Sequence, residues 1–548
     1  MLKSTSVRVR FGVSLLANGT RAGLSFLAGL LIARGLDPAG YGDLLFLLAS
    51  FVSVRTLLDL GSSNAFYTRI ASGRRGIRHY LLYWGWVAVQ FFGTVLLVGL
   101  IAPRSFIQHV WLGHVRGIVL LAFAAAFMQQ QVWPAVGRMG EALRKTVIVQ
   151  LMNVTVASSY LISICVLLWL HRLTAAWVMW TLIANHAIGM VIGVYLFGPG
   201  RWVGPTERDE FDFHAELRYY YGYCRPLFVL SIAMFAYDFA DRWMLQRFGG
   251  AAQQGFYQIS YQLAAASLLA TTSILNVFWK EIAEANATHN HARVARLYQQ
   301  VNRSLMMFAA IIAGFLMPWT PQVIRLLLGP HYLAAAPVLM LMLLYPVHQS
   351  MGQIGGTMFL ASGDTSTYMK ILVGTMLLNL PITYLIQAPP AAQVPGLGLG
   401  ALGMAIKMVS LGIIMVNVQA YIIARRRGWK FDWVFQVVGV GAMVASGFAA
   451  RIAVAALWPV QSMGKFSVLM PLAVAAILYS GMVAVVLWTL PWLIGLTRDE
   501  LVQFGAKARV ALLGGPRLQP AGAGVSPFVT ADVDNMVVAM TPDTDSES

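Results

Sequence analysis

Residues 34–42 read Arg34-Gly-Leu-Asp-Pro-Ala-Gly-Tyr-Gly42, a polar turn set between apolar runs at 11–33 and 44–66. Each run matches the roughly 20 helical residues needed to cross a hydrocarbon core of about 30 Å. A second turn, Arg247-Phe-Gly-Gly-Ala-Ala-Gln-Gln-Gly255, lies 213 residues further on, after the seventh apolar run. In both, an Arg closes one run, and eight residues later a Gly opens the next beside an aromatic, Tyr41 or Phe256. The same mark at the same place in two six-span sets predicts parallel repeats. Such repeats are related by an axis along the membrane normal, with a substrate path between the halves.

Working outward, the apolar runs fall at 11–33, 44–66, 80–102, 117–137, 147–170, 175–198, 223–246, 254–279, 304–328, 333–361, 371–390, 397–423, 433–456 and 466–494. The reading is an all-α polytopic membrane protein of about fourteen transmembrane helices: two parallel six-helix bundles and a C-terminal helix pair. Its expected parts are a first bundle over 1–198, a cytoplasmic linker over 199–222, a second bundle over 223–423, an extra pair over 433–494 and a tail over 495–548. The N-terminal run imitates a signal peptide, but it lacks a convincing cleavage site and is read as a retained span. Thr497–Leu513 is expected to form an amphipathic surface helix, and the acidic, Pro/Gly-rich stretch after Pro516 to be disordered.

Composition agrees. The 548 residues are 58% hydrophobic and 11% charged, against about 25% charged in soluble domains, and the mean hydropathy is +0.67. A soluble enzyme is excluded, as is a protein with a single anchor. The net charge of +17 does not indicate a nucleic-acid partner, because the basic residues form no continuous face along which a phosphate backbone could run. They gather instead on one side. With the N-terminus inside, 26 of the 39 Lys and Arg residues fall in inside segments and seven in outside loops, which places both termini in the cytoplasm.

Charges within spans need a partner, a wet cavity or a function. Arg21 lies mid-span with Asn18 on the same helical face. Arg55 lies mid-span with Asp59 at i+4, a spacing that allows a self-neutralising pair. If both arginines face one cavity, they form a positive chamber suited to phosphate or another anion. Asp238, Asp241 and Arg242 share one face of the seventh span. They form either a polar cluster near the span end or a carboxylate that couples transport to a proton or cation gradient. Lys407 is isolated and expected to face the cavity, whereas Arg451 is expected to snorkel. His348, Gln349, Gln353, Asn379, Asn185 and His186 are expected to hydrogen-bond between helices. Cys165 and Cys224 suggest neither disulfide nor metal, the histidines lack ligand spacing, and no nucleotide-binding motif occurs. No cofactor is implied.

Several segments resemble the Wzx-type polysaccharide flippases of the multidrug/oligosaccharidyl-lipid/polysaccharide exporter superfamily. They are Ala33 to Gly42; Asp59-Leu-Gly-Ser-Ser-Asn-Ala65 with Arg69; Asp241-Arg-Trp with Phe248-Gly and Gly255-Phe-Tyr257; Leu360 to Asp364; and Leu399 to Ile406. The resemblance covers most of residues 10–425. It implies a flippase that carries an undecaprenyl-diphosphate-linked oligosaccharide across a bacterial inner membrane by alternating access, without catalysis. Arg21 and Arg55 would then line a cationic cavity. Asp59 would orient a helix or take part in transport. Lys407 departs from the family pattern, where a small or hydroxyl residue is usual. The implied partners are the lipid-linked oligosaccharide, membrane lipids, and polymerase and chain-length or export components of the same pathway. A lipid II flippase and a drug/cation antiporter share the architecture. A lipid-linked glycan polymerase or ligase is the rival from another class, but no outside loop is long enough for its catalytic residues.

Overall fold

The computed structural model describes residues 7–73, 76–197, 211–268, 278, 281–282, 284–285, 288, 290–458 and 467–500. Among these the regular elements are all helices, as expected where no water is present to satisfy backbone groups. Ten helices are long and apolar enough to cross a membrane. Pro330–Met342 with Tyr345–Ala361, bent by 40°, gives an eleventh. The chain is a multi-pass helical membrane protein.

The first helix, Val7–Asp59, has one non-helical residue, Asp37 (φ 62°, ψ 173°), followed by Pro38. Its 48 residues from Gly12 to Asp59 would extend about 70 Å at 1.5 Å per residue, more than twice a bilayer core. The expected loop over 34–43 is thus a one-residue break. The Asp37 carboxylate accepts the Gly40 N–H at 2.9 Å and so caps the second segment, while Pro38 occupies a first-turn position that needs no N–H.

The second segment stops at Asp59, short of the expected end at 66. Leu60 and Gly61 both take positive φ (48° and 83°), and a separate helix runs Ser62–Ala71. Asp59 holds this turn, accepting from the Ser62 hydroxyl and from the Ser63 N–H and hydroxyl at 2.8–3.2 Å.

The first helix packs against Ala251–Ala265, Thr146–Trp169, Phe228–Met244 and Arg116–Phe127. His291–Leu316 packs against Tyr345–Ala361 and Val434–Leu457, and the latter holds Leu469–Thr489. The glycines of the two turns meet where the first helix crosses Ala251–Ala265. A Cβ on Gly42 would lie 1.9 Å from the Ala251 carbonyl oxygen, and one on Gly255 would lie 2.1 Å from that of Pro38. Only glycine permits this reciprocal approach. Gln246 donates to Asp43 at 2.7 Å, Trp243 to the Val110 carbonyl at 3.1 Å, and the Tyr332 hydroxyl lies 2.8 Å from the Ala33 and Asp37 carbonyls. Away from the crossing the first helix opens, and none of residues 12–27 is buried.

Of the expected linker, Phe213–Cys224 is a helix capped by Asp212. Its Glu216, 1% exposed, is held by Arg69 at 3.0 Å. Beyond the last long helix, Thr497 and Glu500 form a reciprocal cap. The Glu500 carboxyl is held below its usual range first by the Thr497 backbone N–H and then by its hydroxyl. The rest of the expected surface helix and the tail lie outside the described residues.

Candidate functional site

A cavity of about 400 Å³ opens within the first half, between the first helix and residues 129–134, 153–160 and 178–186. Arg21 lines it and is exposed, and among the described residues no carboxylate pairs with it. Asn18 is exposed but does not bound the cavity.

Arg55 is not in this chamber. Its Nε donates to Gln131 at 2.8 Å, and one terminal nitrogen lies 3.7 Å from Asp59. Gln131 in turn donates to Asp59 at 3.1 Å and to Gln90 at 3.4 Å. The expectation of two arginines facing one cavity therefore fails. The on-helix Arg55–Asp59 pair is one part of a wider network, in which Gln131 accepts from Arg55 and donates to Asp59. Asp59 thus joins this network to the turn that leads into Ser62–Ala71.

Lys407 also departs from expectation. It is 2% exposed, and its ammonium lies 2.5 Å from Asp241 and 2.9 Å from the Thr383 hydroxyl. Thr383 donates to Asp241 at 2.6 Å. Three helices, Phe228–Met244, Thr365–Gln387 and Gly400–Arg427, are tied by this one cluster. Lys407 therefore adds no free positive charge to a substrate cavity. The attraction that the sequence could not locate is supplied by a carboxylate 166 residues away.

Among the described residues no hydrogen bond or ion pair engages Asp238, which lines a smaller cavity of about 190 Å³ with Arg242, Gln254, Tyr257 and Tyr261. Arg242 reaches across to the first half, donating to the Ala49 carbonyl at 3.2 Å and the Ser53 hydroxyl at 3.4 Å. Arg451 lies over the Trp319 ring at 4.2 Å. Asn185 accepts from Ser159 at 2.5 Å between helices, as expected. His186 faces the first cavity. His348 instead lines a third, mostly apolar cavity of about 550 Å³ with Asn417 and Gln436.

Sequence reading missed Met128-Gln-Gln-Gln-Val132. This run forms a π-helical turn, which carries one more residue per turn than an α-helix. Gln131 points into the Arg55–Asp59 network, while Gln129 and Gln130 line the first cavity. Three consecutive glutamines inside an apolar span were the available signal.

Residues 9–279, which contain this cavity and the crossing of the halves, match the polysaccharide biosynthesis protein family. Over that stretch the chain is similar to that family. It is 24% identical over 288 residues to the amylovoran biosynthesis protein AmsL of Erwinia amylovora, covering 52% of this chain and 71% of that one. Among solved structures it is similar to the lipid II flippase MurJ in an inward closed conformation, with 11% identity and a TM-score of 0.60 over 87% of this chain and 98% of MurJ. It is also similar to an inward-facing multidrug resistance MATE family transporter of the MOP superfamily, with 14% identity and a TM-score of 0.59 over 78% of this chain and 96% of that one. At these identities the likeness shows a shared fold. The chain's fold is similar to that of these two transporters.

Proposed function

We propose that the chain is a flippase for an undecaprenyl-diphosphate-linked oligosaccharide, moving it across the bacterial inner membrane by alternating access without catalysing a reaction. The observation that carries this reading is Arg21, a guanidinium without a carboxylate partner among the described residues, lining a cavity inside the family-matched half. A diphosphate satisfies such a group through two parallel charge-assisted hydrogen bonds. The likeness to AmsL supports an exopolysaccharide pathway, and with it polymerase and chain-length or export components as partners.

Fourteen spans follow from dividing the first helix at Asp37, counting the bent pair once, and adding the two polar helices around Phe228–Met244 and Ala251–Ala265. On this reading both termini lie in the cytoplasm, which the distribution of basic residues supports. The halves, 1–198 and 223–423, rock about the Gly42–Gly255 crossing, and the pair within 433–494 packs outside them. Separation at that crossing would release substrate on the far side. Asp238 is the carboxylate that a proton or monovalent cation would neutralise, since Asp241 is engaged by Lys407.

The test is a proteoliposome assay with a fluorescent polyprenyl-diphosphate oligosaccharide and a membrane-impermeant quencher. Wild-type protein should equilibrate the lipid between leaflets, and Arg21→Ala should slow this at least tenfold at equal abundance. Equal rates in the two would refute the anion site. No equilibration by wild-type protein, with or without an ion gradient, would refute the cargo.

A further inference from the structure

The first cavity holds more than a cation. Gln129 and Gln130 line it half-buried, and no hydrogen bond is recorded for either side chain among the described residues. Trp133 places its ring on the wall, with its indole N–H bound to Asn153 at 3.0 Å. Tyr160 faces the same space. His186 donates from Nδ1 to the Leu182 carbonyl at 2.8 Å, which leaves Nε2 uncommitted among the described residues. Among the described residues that line it none is acidic, and Arg21 is the one Lys or Arg.

This inventory points to a ligand. A carboxamide both donates and accepts, as does a hydroxyl, so two free amides are matched by a hydroxyl-rich surface. The flat faces of Trp133 and Tyr160 suit the C–H face of a sugar ring, an apolar body with a polar rim. One guanidinium neutralises one anionic group, so a heavily charged glycan would leave buried anions without partners. A cationic cargo would meet repulsion with no carboxylate to offset it. The volume of about 400 Å³ falls in the range of about 300–1,000 Å³ typical of small-ligand pockets. It admits the sugars next to the lipid rather than a long chain. The π turn supports the same assignment, since such turns recur at functional sites. Here the turn divides three glutamines between a structural network and an open cavity.

We propose that Gln129 and Gln130, presented by the Met128–Val132 turn, form with Trp133 and Tyr160 a subsite for an uncharged, hydroxyl-rich sugar ring beside the anionic group held by Arg21. The subsite rests on the flippase reading given above and names the part of the cargo it selects.

The experiment compares two probes on the full chain in lipid nanodiscs by native mass spectrometry: undecaprenyl diphosphate alone, and the same lipid bearing a neutral disaccharide. Wild-type protein should bind the glycosylated lipid about tenfold more tightly, equivalent to about 1.4 kcal/mol. The double variant Gln129→Leu/Gln130→Leu should lose that preference while still binding the bare lipid, and that binding also reports a folded cavity. Tyr160→Leu, whose hydroxyl has no hydrogen-bond partner among the described residues, should reduce the preference severalfold and serves if the double variant does not fold. Arg21→Gln should weaken both probes equally. Equal wild-type affinity for the two lipids, or an undiminished preference in the variants, overturns the subsite. Binding of neither lipid by wild-type protein overturns the flippase reading and the subsite with it.

Discussion

Removing the Lys407 ammonium should destabilise the protein rather than empty a substrate site. Lys407 and Asp241 are 2% and 8% exposed and 2.5 Å apart, with Thr383 bonded to both. Breaking a buried pair by deleting one partner costs about 3–5 kcal/mol, because the other charge stays buried without compensation. Replacing both partners with apolar residues of similar size is often near neutral. Lys407→Met and Asp241→Leu should therefore each cost about 3–5 kcal/mol, and the double variant far less, a coupling of at least about 3 kcal/mol in a double-mutant cycle. Thr383→Val should add a smaller loss of about 1 kcal/mol. Lys407→Arg should not restore stability, since the planar fork does not replace a compact ammonium. The assay is reversible unfolding in mixed detergent micelles, run beside the transport assay. Should Lys407→Met abolish transport while costing under about 1 kcal/mol, the ammonium would be acting as a substrate contact and this reasoning would be refuted.

Four other substitutions test separate parts of the architecture. Arg21→Ala, at an exposed position, should change unfolding free energy by no more than about 0.5 kcal/mol yet weaken polyprenyl-diphosphate binding at least tenfold. Arg55→Ala should do the reverse in the same two assays, because it leaves Asp59 and Gln131 without their shared partner. Gly42→Leu places a side chain 1.9 Å from the Ala251 carbonyl, so amide exchange over 36–46 and 248–258 should rise as the crossing opens. Arg69→Ala removes a contact at 3.0 Å to the buried Glu216, and protease cleavage around Phe213–Cys224 should accelerate.

The helical class was legible before any coordinates. Apolar runs in lipid have only one way to satisfy their backbones within a segment, so periodicity and length suffice. The Arg-to-Gly spacing located Gly42 and Gly255, although nothing in the spacing said that the two would touch. Arg55–Asp59 was legible as well, because i,i+4 geometry is set within one helix. Asp37-Pro-Ala-Gly was read as a loop because its residues favour turns. The structure needs only one residue out of helical conformation there, with Asp37 capping and Pro38 restarting the helix.

Sequence by itself determined what must leave water and which charges must find partners. Tertiary structure alone decided which partner each found. Lys407 and Arg21 read alike as lone cations in apolar spans, yet one is sealed against Asp241 and Thr383 and the other lines a cavity. The difference arises from how each helix is rotated about its axis and which neighbour it meets. Packing across the whole bundle sets that rotation, and a one-dimensional pattern on a single helix carries no record of it. The π turn at Met128–Val132 adds to this, since one extra residue turns Gln131 toward Asp59 and leaves Gln129 and Gln130 lining the cavity.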